Sequence, residues 1–289
     1  MERLSVKYRD KIIEMMGRVK FDMVITEKNV RQESNRQVLP YIEGMVKEQL
    51  LPGSEIRGIE HLGELLEKAK AGASCLLLLE HYSNLDLPVF CYLLRGSGEK
   101  GKEIADAVVA IAGMKLNEDN PVVAAFTSAY SRIVIYPSRT LKEIDAKTAH
   151  AEFVRSNAIN RAAMKALNEV KKEGKLVLVF PAGTRFRPWA PETKRGVREI
   201  DSYIKSFDYM CLVSINGDIL RIQKGDMSED LVCRDVVHIE SSPVMSCAEF
   251  REAAKGNAAA EDDRKQAVVD AIMARLEEMH VKNESLRPR

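Results

Sequence analysis

Two short polar segments of the chain carry residues whose types and spacing suit catalysis. The first contains His81 and Asp86, five positions apart, directly after the apolar run Cys75–Leu79. On one continuous helix the two side chains would point about 140° apart, so they meet only if the chain turns between them. Such a turn would let Asp86 fix one tautomer of the His81 imidazole, and the other ring nitrogen would then take a proton from a substrate hydroxyl. The segment is therefore a candidate catalytic dyad.

The same segment also has a purely structural interpretation. Ser83 and Asp86 match a capping box, in which two side chains satisfy backbone N–H groups at the start of a helix. Pro88 suits such a helix start, because the N–H that it lacks would have no partner there. His81 would then simply end a strand, and spacing alone does not choose between the two interpretations. We interpret Ser83 as a cap and not a nucleophile, since no Gly-x-Ser-x-Gly elbow surrounds it.

The second segment follows the apolar run Leu176–Phe180 and combines a glycine with two arginines. Gly183 permits a tight turn with exposed backbone N–H groups. Arg185 and Arg187 are two positions apart, so they project from one side of an extended segment, and each guanidinium can bind phosphate through two N–H donors. This pattern predicts a phosphate clamp, and the alternative is a solvated basic loop. Three more cations follow: Lys194, Arg195 and Arg198.

Both segments lie at the ends of strands in an alternating pattern of short apolar runs and longer helical stretches. The runs predicted as strands are Cys75–Leu79, Ala107–Ala112, Arg132–Tyr136, Leu176–Phe180, Met210–Ile215 and Val236–Ile239. The predicted helices span 59–71, 87–95, 120–130, 156–173, 195–207 and 261–280. Alternation of this kind predicts an α/β fold, here with a mixed central sheet flanked by helices. Ligands of such folds bind beyond the carboxyl ends of the strands. We therefore expect a general base to face an anion clamp, an arrangement that suits deprotonation of a phosphorylated alcohol for attack on an activated carbonyl.

The N-terminal residues have a different pattern. Residues 1–55 predict a small helical subdomain, and residues 56–289 predict the α/β domain. The first twenty residues hold six Lys or Arg against three Asp or Glu. A basic amphipathic helix can lie on an anionic membrane surface, whereas packing on the main domain is the more common use of such a helix.

Near the other end of the chain, we expect a loop over Ala253–Asp263 and fraying after Asn283.

Composition excludes several classes of protein. The 289 residues have a formal net charge of +1, which argues against a dedicated nucleic-acid binder. No apolar run approaches the roughly 18 residues of a membrane-spanning helix, and the charged N-terminus lacks the apolar stretch of a secretory signal. Five cysteines without paired spacing fit free thiols in a reducing compartment. We therefore expect a soluble, cytoplasmic protein with no metal and no cofactor.

The two segments together resemble the motifs of the glycerolipid acyltransferase superfamily. Its motifs are His-x-x-x-x-Asp and, about a hundred residues later, a loop whose common bacterial form reads Phe-Pro-Glu-Gly-Thr-Arg. This chain has Ala182 in place of that Glu, and it adds Arg187-Pro188. These differences are more similar to the soluble, plastid-type glycerol-3-phosphate acyltransferases, whose loop reads Pro-Ser-Gly-Gly-Arg-Asp-Arg-Pro. Ser138-Arg139-Thr140 partly matches that branch's Ser-Lys-Lys-His segment.

This resemblance implies a role for each matching residue. His81 would be the general base and Asp86 the residue that orients it. Arg139, Arg185 and Arg187 would bind the phosphate of the acceptor. Gly183 and Thr184 would shape the loop around it.

The resemblance also implies the reaction. An acyl group would move from an acyl carrier protein or coenzyme A thioester to the sn-1 hydroxyl of glycerol-3-phosphate, giving lysophosphatidate for phospholipid biosynthesis. Two alternatives stay open: a 1-acylglycerol-3-phosphate acyltransferase, and a non-catalytic phospholipid-binding protein that kept the fold. A lipid product also favours peripheral contact with the inner face of the membrane.

Overall fold

A computed structural model of the chain describes residues 1–18, 24–118, 121–137, 150–225, 227–259 and 263–287. The chain forms two compact units. The first unit contains Met1–Lys7, Glu43–Val108 and Lys171–Arg289, and the second contains Tyr8–Ile42 and Val109–Val170.

The strands and helices follow in chain order. The strands are β1 Glu2–Arg3, β2 Arg31–Gln32, β3 Glu55–Arg57, β4 Cys75–Leu79, β5 Val108–Gly113, β6 Arg132–Ile135, β7 Leu176–Val179, β8 Tyr209–Asn216, β9 Leu220–Arg221, β10 Leu231–Val232, β11 His238–Ser241 and β12 Met245–Ser246. The α-helices are α1 Leu4–Lys7, α2 Arg9–Gly17, α3 Leu39–Gln49, α4 Ile59–Lys70, α5 Asp86–Gly96, α6 Glu99–Ala107, α7 Lys115–Glu118, α8 Pro121–Ser128, α9 His150–Lys172, α10 Ile200–Ser206, α11 Cys247–Gly256 and α12 Arg264–Leu286. Two 3₁₀ turns occupy Pro191–Lys194 and Met227–Glu229.

Strand β4 lies inside the main sheet of the first unit, whose strand order is β7-β4-β8-β11-β3. β4 is parallel to β7 and β8, and β8 is antiparallel to β11, so the sheet is mixed as the sequence predicts. β11 is parallel to β3, and β12 pairs with β8. β1, β10 and β9 form a separate antiparallel sheet.

The apolar composition of β4 explains its central position. Leu76, Leu77 and Leu78 are completely buried, which is typical of a strand with helices over both faces of its sheet. α4 packs on β4 and β8, and α12 packs on β8. Helix α4 buries the residues at helical spacing that form its apolar stripe: Leu62, Leu65, Leu66 and Ala69. Helix α12 starts at a cap in which the Asp263 carboxylate accepts hydrogen bonds from the N–H groups of Lys265 and Gln266.

The neighbouring parallel strands β4 and β7 end at the same edge of the sheet. Leu78 lies opposite Val179 in their register, so the segments that follow the two strands start side by side. This places both polar segments of the sequence at one edge of the first unit.

The second unit contains its own strand pairs and the long helix α9. β6 pairs in parallel with β5 and antiparallel with β2. Arg155 of α9 forms an ion pair with Glu118 and donates a hydrogen bond to the carbonyl oxygen of Ile25 at 3.0 Å. Asn160 of the same helix bonds both backbone groups of Tyr136, just after β6.

All six predicted strands are confirmed, with shifts at their ends. The predicted strand Val236–Ile239 begins only at His238, because the Val236 N–H donates to the Asp235 carboxylate instead of a neighbouring strand. The predicted loop over Ala253–Asp263 is partly wrong, since α11 continues to Gly256. Fraying after Asn283 is also wrong: α12 continues to Leu286, and the buried Asn283 amide donates to Ser214 Oγ at 2.9 Å.

The N-terminal residues contain α1, α2 and α3 together with the short strands β1 and β2. The first unit takes residues from both sides of the predicted boundary at residue 55. The division into a 1–55 subdomain and a 56–289 domain stays a prediction.

Candidate active site

The first loop, residues 80–86, turns the chain between strand β4 and helix α5. The Glu80 N–H donates to the Val213 carbonyl oxygen at 3.1 Å, which extends the pairing of β4 with β8 by one residue. The chain then turns, and α5 begins at Asp86. His81 Nδ1 lies 2.9 Å from Asp86 Oδ2, and the side chains are 15% and 5% exposed. The structure therefore brings the predicted pair into contact through the turn that the spacing requires.

The Asp86 carboxylate is fixed by several donors of its own loop. Oδ2 accepts hydrogen bonds from the N–H groups of Tyr82, at 2.6 Å, and Ser83, at 2.9 Å. Oδ1 accepts from the Ser83 hydroxyl at 2.9 Å. These bonds close the turn before α5, so Asp86 both stabilises the turn and contacts His81. A helix N-terminus also favours a carboxylate in its first turn.

This geometry assigns different roles to the two nitrogens of His81. The contact with Asp86 holds the proton on Nδ1, so Nε2 is the nitrogen that can accept a proton. A carboxylate on Nδ1 also stabilises the imidazolium that forms after proton transfer.

The second loop, residues 180–187, contacts His81 directly. The Phe180 ring stacks on the His81 imidazole, with 3.9 Å between centroids and 20° between planes. The Phe186 N–H donates to the His81 carbonyl oxygen at 2.8 Å. The two predicted segments therefore form one site, and both lie in the first unit.

Gly183 makes the turn of the second loop. Its φ of +65° lies in the left-handed region that favours glycine, and its N–H donates to the Phe180 carbonyl oxygen at 2.9 Å. A side chain here would also approach Val197 to 3.2 Å. The glycine is thus required by both backbone conformation and space.

The two arginines of the second loop have different partners. Arg185 Nη1 donates to Asp230 Oδ2 at 2.6 Å, and the Asp230 side chain is fully buried. Arg187 Nη1 donates to the neutral Thr184 hydroxyl at 3.2 Å, and its backbone N–H donates to Thr193 Oγ1. Arg185 therefore compensates a buried carboxylate, whereas the charge of Arg187 contacts a neutral partner in its own loop.

Two of the other cations named from the sequence are paired with acidic groups. Arg139 lies outside the described residues. Lys194 forms an ion pair with Glu277, and Arg198 pairs with Asp263 at 2.5 Å. Glu277 belongs to α12 and Asp263 is the cap of that helix, so both pairs join the region after the second loop to α12.

Sequence analysis missed three residues beside His81. Glu80 Oε2 lies 3.0 Å from His280 Nδ1, and Glu80 Oε1 accepts from the Tyr82 hydroxyl at 3.0 Å. Burial, the largest effect, lowers the pKa of His280, but the hydrogen bond and charge of Glu80 more than offset it, so the net pKa is raised. Burial and the Glu80 charge raise the pKa of Tyr82. The only sequence signal was the position of Glu80 and Tyr82 on either side of His81; His280 is 200 residues from Glu80.

A further carboxyl group near the site is Asp218, just after β8. Burial raises its pKa to about 6, and the charge of Asp86 contributes. Oδ1 of Asp218 accepts from the Leu220 N–H at 2.9 Å. Asp218 therefore lies electrostatically within reach of Asp86.

The remaining nucleophile candidates are buried. Burial raises the pKa of the Cys75, Cys91 and Cys211 thiols to about 12, so these thiols stay protonated at neutral pH.

A small cavity of about 20 Å³ beside His81 is lined in part by Tyr82, Ala182 and Met273. In the described part of the chain, no group of three or more His, Cys, Asp or Glu residues is arranged to hold a metal ion.

The comparison with protein families agrees with this geometry. A family model described as acyltransferase matches residues 56–225, which is more than half of the chain and includes both loops. No curated protein matches the chain.

Proposed function

The chain belongs to the acyltransferase family, and from this premise we propose that it moves a fatty-acyl group from a thioester to the sn-1 hydroxyl of glycerol-3-phosphate. The product is lysophosphatidate, a precursor of phospholipids. The single observation that carries this proposal is the contact between the loops: the histidine–carboxylate pair and the arginine-bearing turn meet through Phe180 and Phe186.

The reaction uses His81 as general base and then as general acid. Nε2 of His81 takes the proton of the sn-1 hydroxyl as its oxygen attacks the thioester carbonyl carbon. The tetrahedral intermediate collapses, the carbon–sulfur bond breaks, and the imidazolium returns its proton to the leaving thiolate. Asp86 holds the productive tautomer and stabilises the imidazolium. The thioester is already activated, so the reaction needs no covalent enzyme intermediate.

The phosphate of the acceptor binds at the second loop. Arg187 supplies the charge, because its guanidinium contacts only the neutral Thr184 hydroxyl among the hydrogen bonds of the described residues. The turn at Gly183 brings backbone close to a small anion. Arg185 shares its charge with Asp230, so we assign it a smaller part in binding.

A 1-acylglycerol-3-phosphate acyltransferase is the second candidate function. Its acceptor carries the same phosphate, so the second loop suits both acceptors equally. The donor is a thioester of acyl carrier protein or coenzyme A. A non-catalytic phospholipid-binding protein would need neither a buried Asp86 nor its contact with His81, so we rank it last.

One assay separates these candidates. Purified protein is given labelled glycerol-3-phosphate or labelled lysophosphatidate, each with acyl carrier protein and with coenzyme A thioesters, and the products are identified. We expect lysophosphatidate from the first acceptor. Phosphatidate from the second acceptor alone would establish the second candidate, and no product from any combination would contradict acyl transfer to either acceptor.

We further propose a cytoplasmic protein with peripheral membrane contact through its N-terminal helix α2. Ile13 of this helix is 60% exposed and lies among the basic residues of the first twenty. Across the residues that the structure describes, no helix is both long and apolar enough to cross a bilayer. Binding should require anionic lipid and fall with salt, because ions screen the attraction. Vesicle co-sedimentation checks this, and equal binding to neutral vesicles at high salt would contradict it.

A further inference from the structure

A second histidine–carboxylate pair lies next to the proposed catalytic dyad. His280 of α12 contacts Glu80 at 3.0 Å, and its Nδ1 is also 3.2 Å from the Tyr82 hydroxyl. The Glu80 side chain is 5% exposed and that of His280 is 23% exposed. Glu80 and Tyr82 are the chain neighbours of His81, so His280 contacts the residues directly before and directly after the proposed base.

We propose that His280 and Glu80 are positioning residues for His81, and that the His280 cation balances the Glu80 charge beside the base. This inference rests on the proposed function of His81, and it adds residues that neither motif contains.

The backbone contacts show how the positioning works. Glu80 Oε2 accepts from the Ile215 N–H of β8 at 2.9 Å, which fixes the residue before His81. Tyr82, the residue after His81, donates its hydroxyl to Glu80 and its backbone N–H to Asp86. Tyr82 therefore links the two pairs, and His280 joins this unit to α12.

The charged groups around His280 support the proposal that its cation balances the Glu80 charge. The groups that face it are Glu80 and Tyr82 from the first loop, Glu277 and Glu284 from its own helix, and Lys194 from the turn after the second loop. Burial lowers the pKa of His280, and the hydrogen bond and charge of Glu80 raise it. A neutral residue at position 280 would leave the Glu80 carboxylate uncompensated, one residue from the base.

Two substitutions at position 280 separate geometry from charge. His280→Ala removes both the hydrogen bond to Glu80 and the cation. His280→Asn places an amide donor near the position of Nδ1 and removes only the cation. Asn283→Ala is the matched control, because Asn283 lies three residues further along α12 and docks the same helix on Ser214 without contacting Glu80.

We expect kcat of His280→Ala to fall roughly tenfold to a hundredfold, the scale of a small misplacement of a catalytic group. The KM for the acceptor should stay within about twofold, and His280→Asn should recover most of the loss in kcat. The acidic limb of the pH–rate profile should move to higher pH in both variants, because an uncompensated carboxylate favours a protonated base. Glu80→Gln with His280→Asn should return the limb to its wild-type position.

A purely structural role predicts a different pattern. His280→Ala and Asn283→Ala would then lower the melting temperature and leave the pH limb unchanged, and this result would overturn the proposal. Wild-type kcat in His280→Ala, or no recovery in His280→Asn, would overturn it too.

A second measurement does not depend on turnover. Histidine NMR titration of the full chain should show that Glu80→Gln lowers the pKa of His280, because the largest effect that opposes burial is then removed. An unchanged His280 titration would overturn the pairing itself. If the titration behaves as expected and the wild-type chain acylates no acceptor, the proposed function fails while the Glu80–His280 pair stands.

Discussion

The two loops of the candidate active site are held in place in different ways. In the first loop, the groups that fix Asp86 against His81 all lie within five residues of one another. In the second loop, Arg185 is fixed by Asp230, 45 residues further along the chain, and the turn at Gly183 packs against Val197. The contact between Asp86 and His81 is therefore fixed within the first loop itself, while the second loop depends on more distant parts of the fold.

This difference determines what a substitution in each loop measures. Removing His81 deletes the proposed base, and the buried Asp86 carboxylate keeps its hydrogen bonds from Tyr82 and Ser83. Removing Arg185 takes the charged partner from a fully buried carboxylate, so its effect on binding is mixed with an effect on stability. Arg187 is the informative position in the second loop, because its side chain bonds only a neighbouring hydroxyl.

The largest effect is expected for His81→Ala. Loss of a general base typically costs about a hundredfold to ten-thousandfold in rate, and kcat should carry the loss because the proton moves only in the transition state. Steady-state kinetics checks this, with binding of the phosphate acceptor measured by calorimetry and expected to survive. His150→Ala, an exposed histidine of α9, is the control and should keep wild-type kcat. Near-normal activity of the His81 variant would make the first loop a capping motif only.

Asp86→Asn should also lower kcat, by roughly a hundredfold or more, since an amide can hold the wrong tautomer of His81 and cannot stabilise the imidazolium. The amide nitrogen also cannot accept the hydrogen bonds that the carboxylate receives from the loop. Kinetics and thermal unfolding, measured on the same samples, should therefore both change. Unchanged kcat with lowered stability would leave Asp86 with its capping role alone.

The contact between His81 and Asp86 was predictable because the two residues are close in the chain. A five-residue spacing after a buried strand requires a turn, and the turn brings His81 to Asp86. The Arg185–Asp230 and Glu80–His280 contacts were not predictable, since 45 and 200 residues separate the partners. The helix predicted from residue 195 begins only at Ile200, and the Val197 N–H before it donates to the Pro181 carbonyl oxygen at 2.9 Å.

The arginines give a direct contrast in the second loop. Arg185→Ala should destabilise the fold by about 3–5 kcal/mol, because it removes the arginine that compensates the charge of the buried Asp230 carboxylate. Adding Asp230→Asn to Arg185→Ala should recover part of that loss. Arg187→Ala should leave unfolding nearly unchanged and raise the acceptor KM roughly tenfold to a hundredfold, the scale of a charge-assisted hydrogen bond. Denaturant unfolding and acceptor titration distinguish the two, and equal destabilisation by both substitutions would contradict the contrast.

The smallest effect concerns Asp218, a carboxyl group whose pKa is raised mainly by burial. Its folded pKa of about 6 lies above the ordinary value of 3.8, so ionisation of Asp218 disfavours the folded state as pH rises through this window. Asp218→Asn should therefore stabilise the chain above about pH 6, by no more than about 3 kcal/mol, and have little effect below pH 4. Melting temperatures across pH check the sign. Destabilisation at neutral pH would mean that the charged carboxylate is required.

The most direct test of the account compares glycerol-3-phosphate with glycerol as acceptors in wild type, His81→Ala and Arg187→Ala. With the proposed general base and a phosphate-binding arginine in one site, kcat/KM of the wild type should favour glycerol-3-phosphate by roughly a hundredfold or more. His81→Ala should lower kcat/KM for both acceptors by the same factor, and Arg187→Ala should lower it for glycerol-3-phosphate alone. A wild-type enzyme that acylates both acceptors equally, or an Arg187→Ala variant that keeps the full preference, would contradict the account.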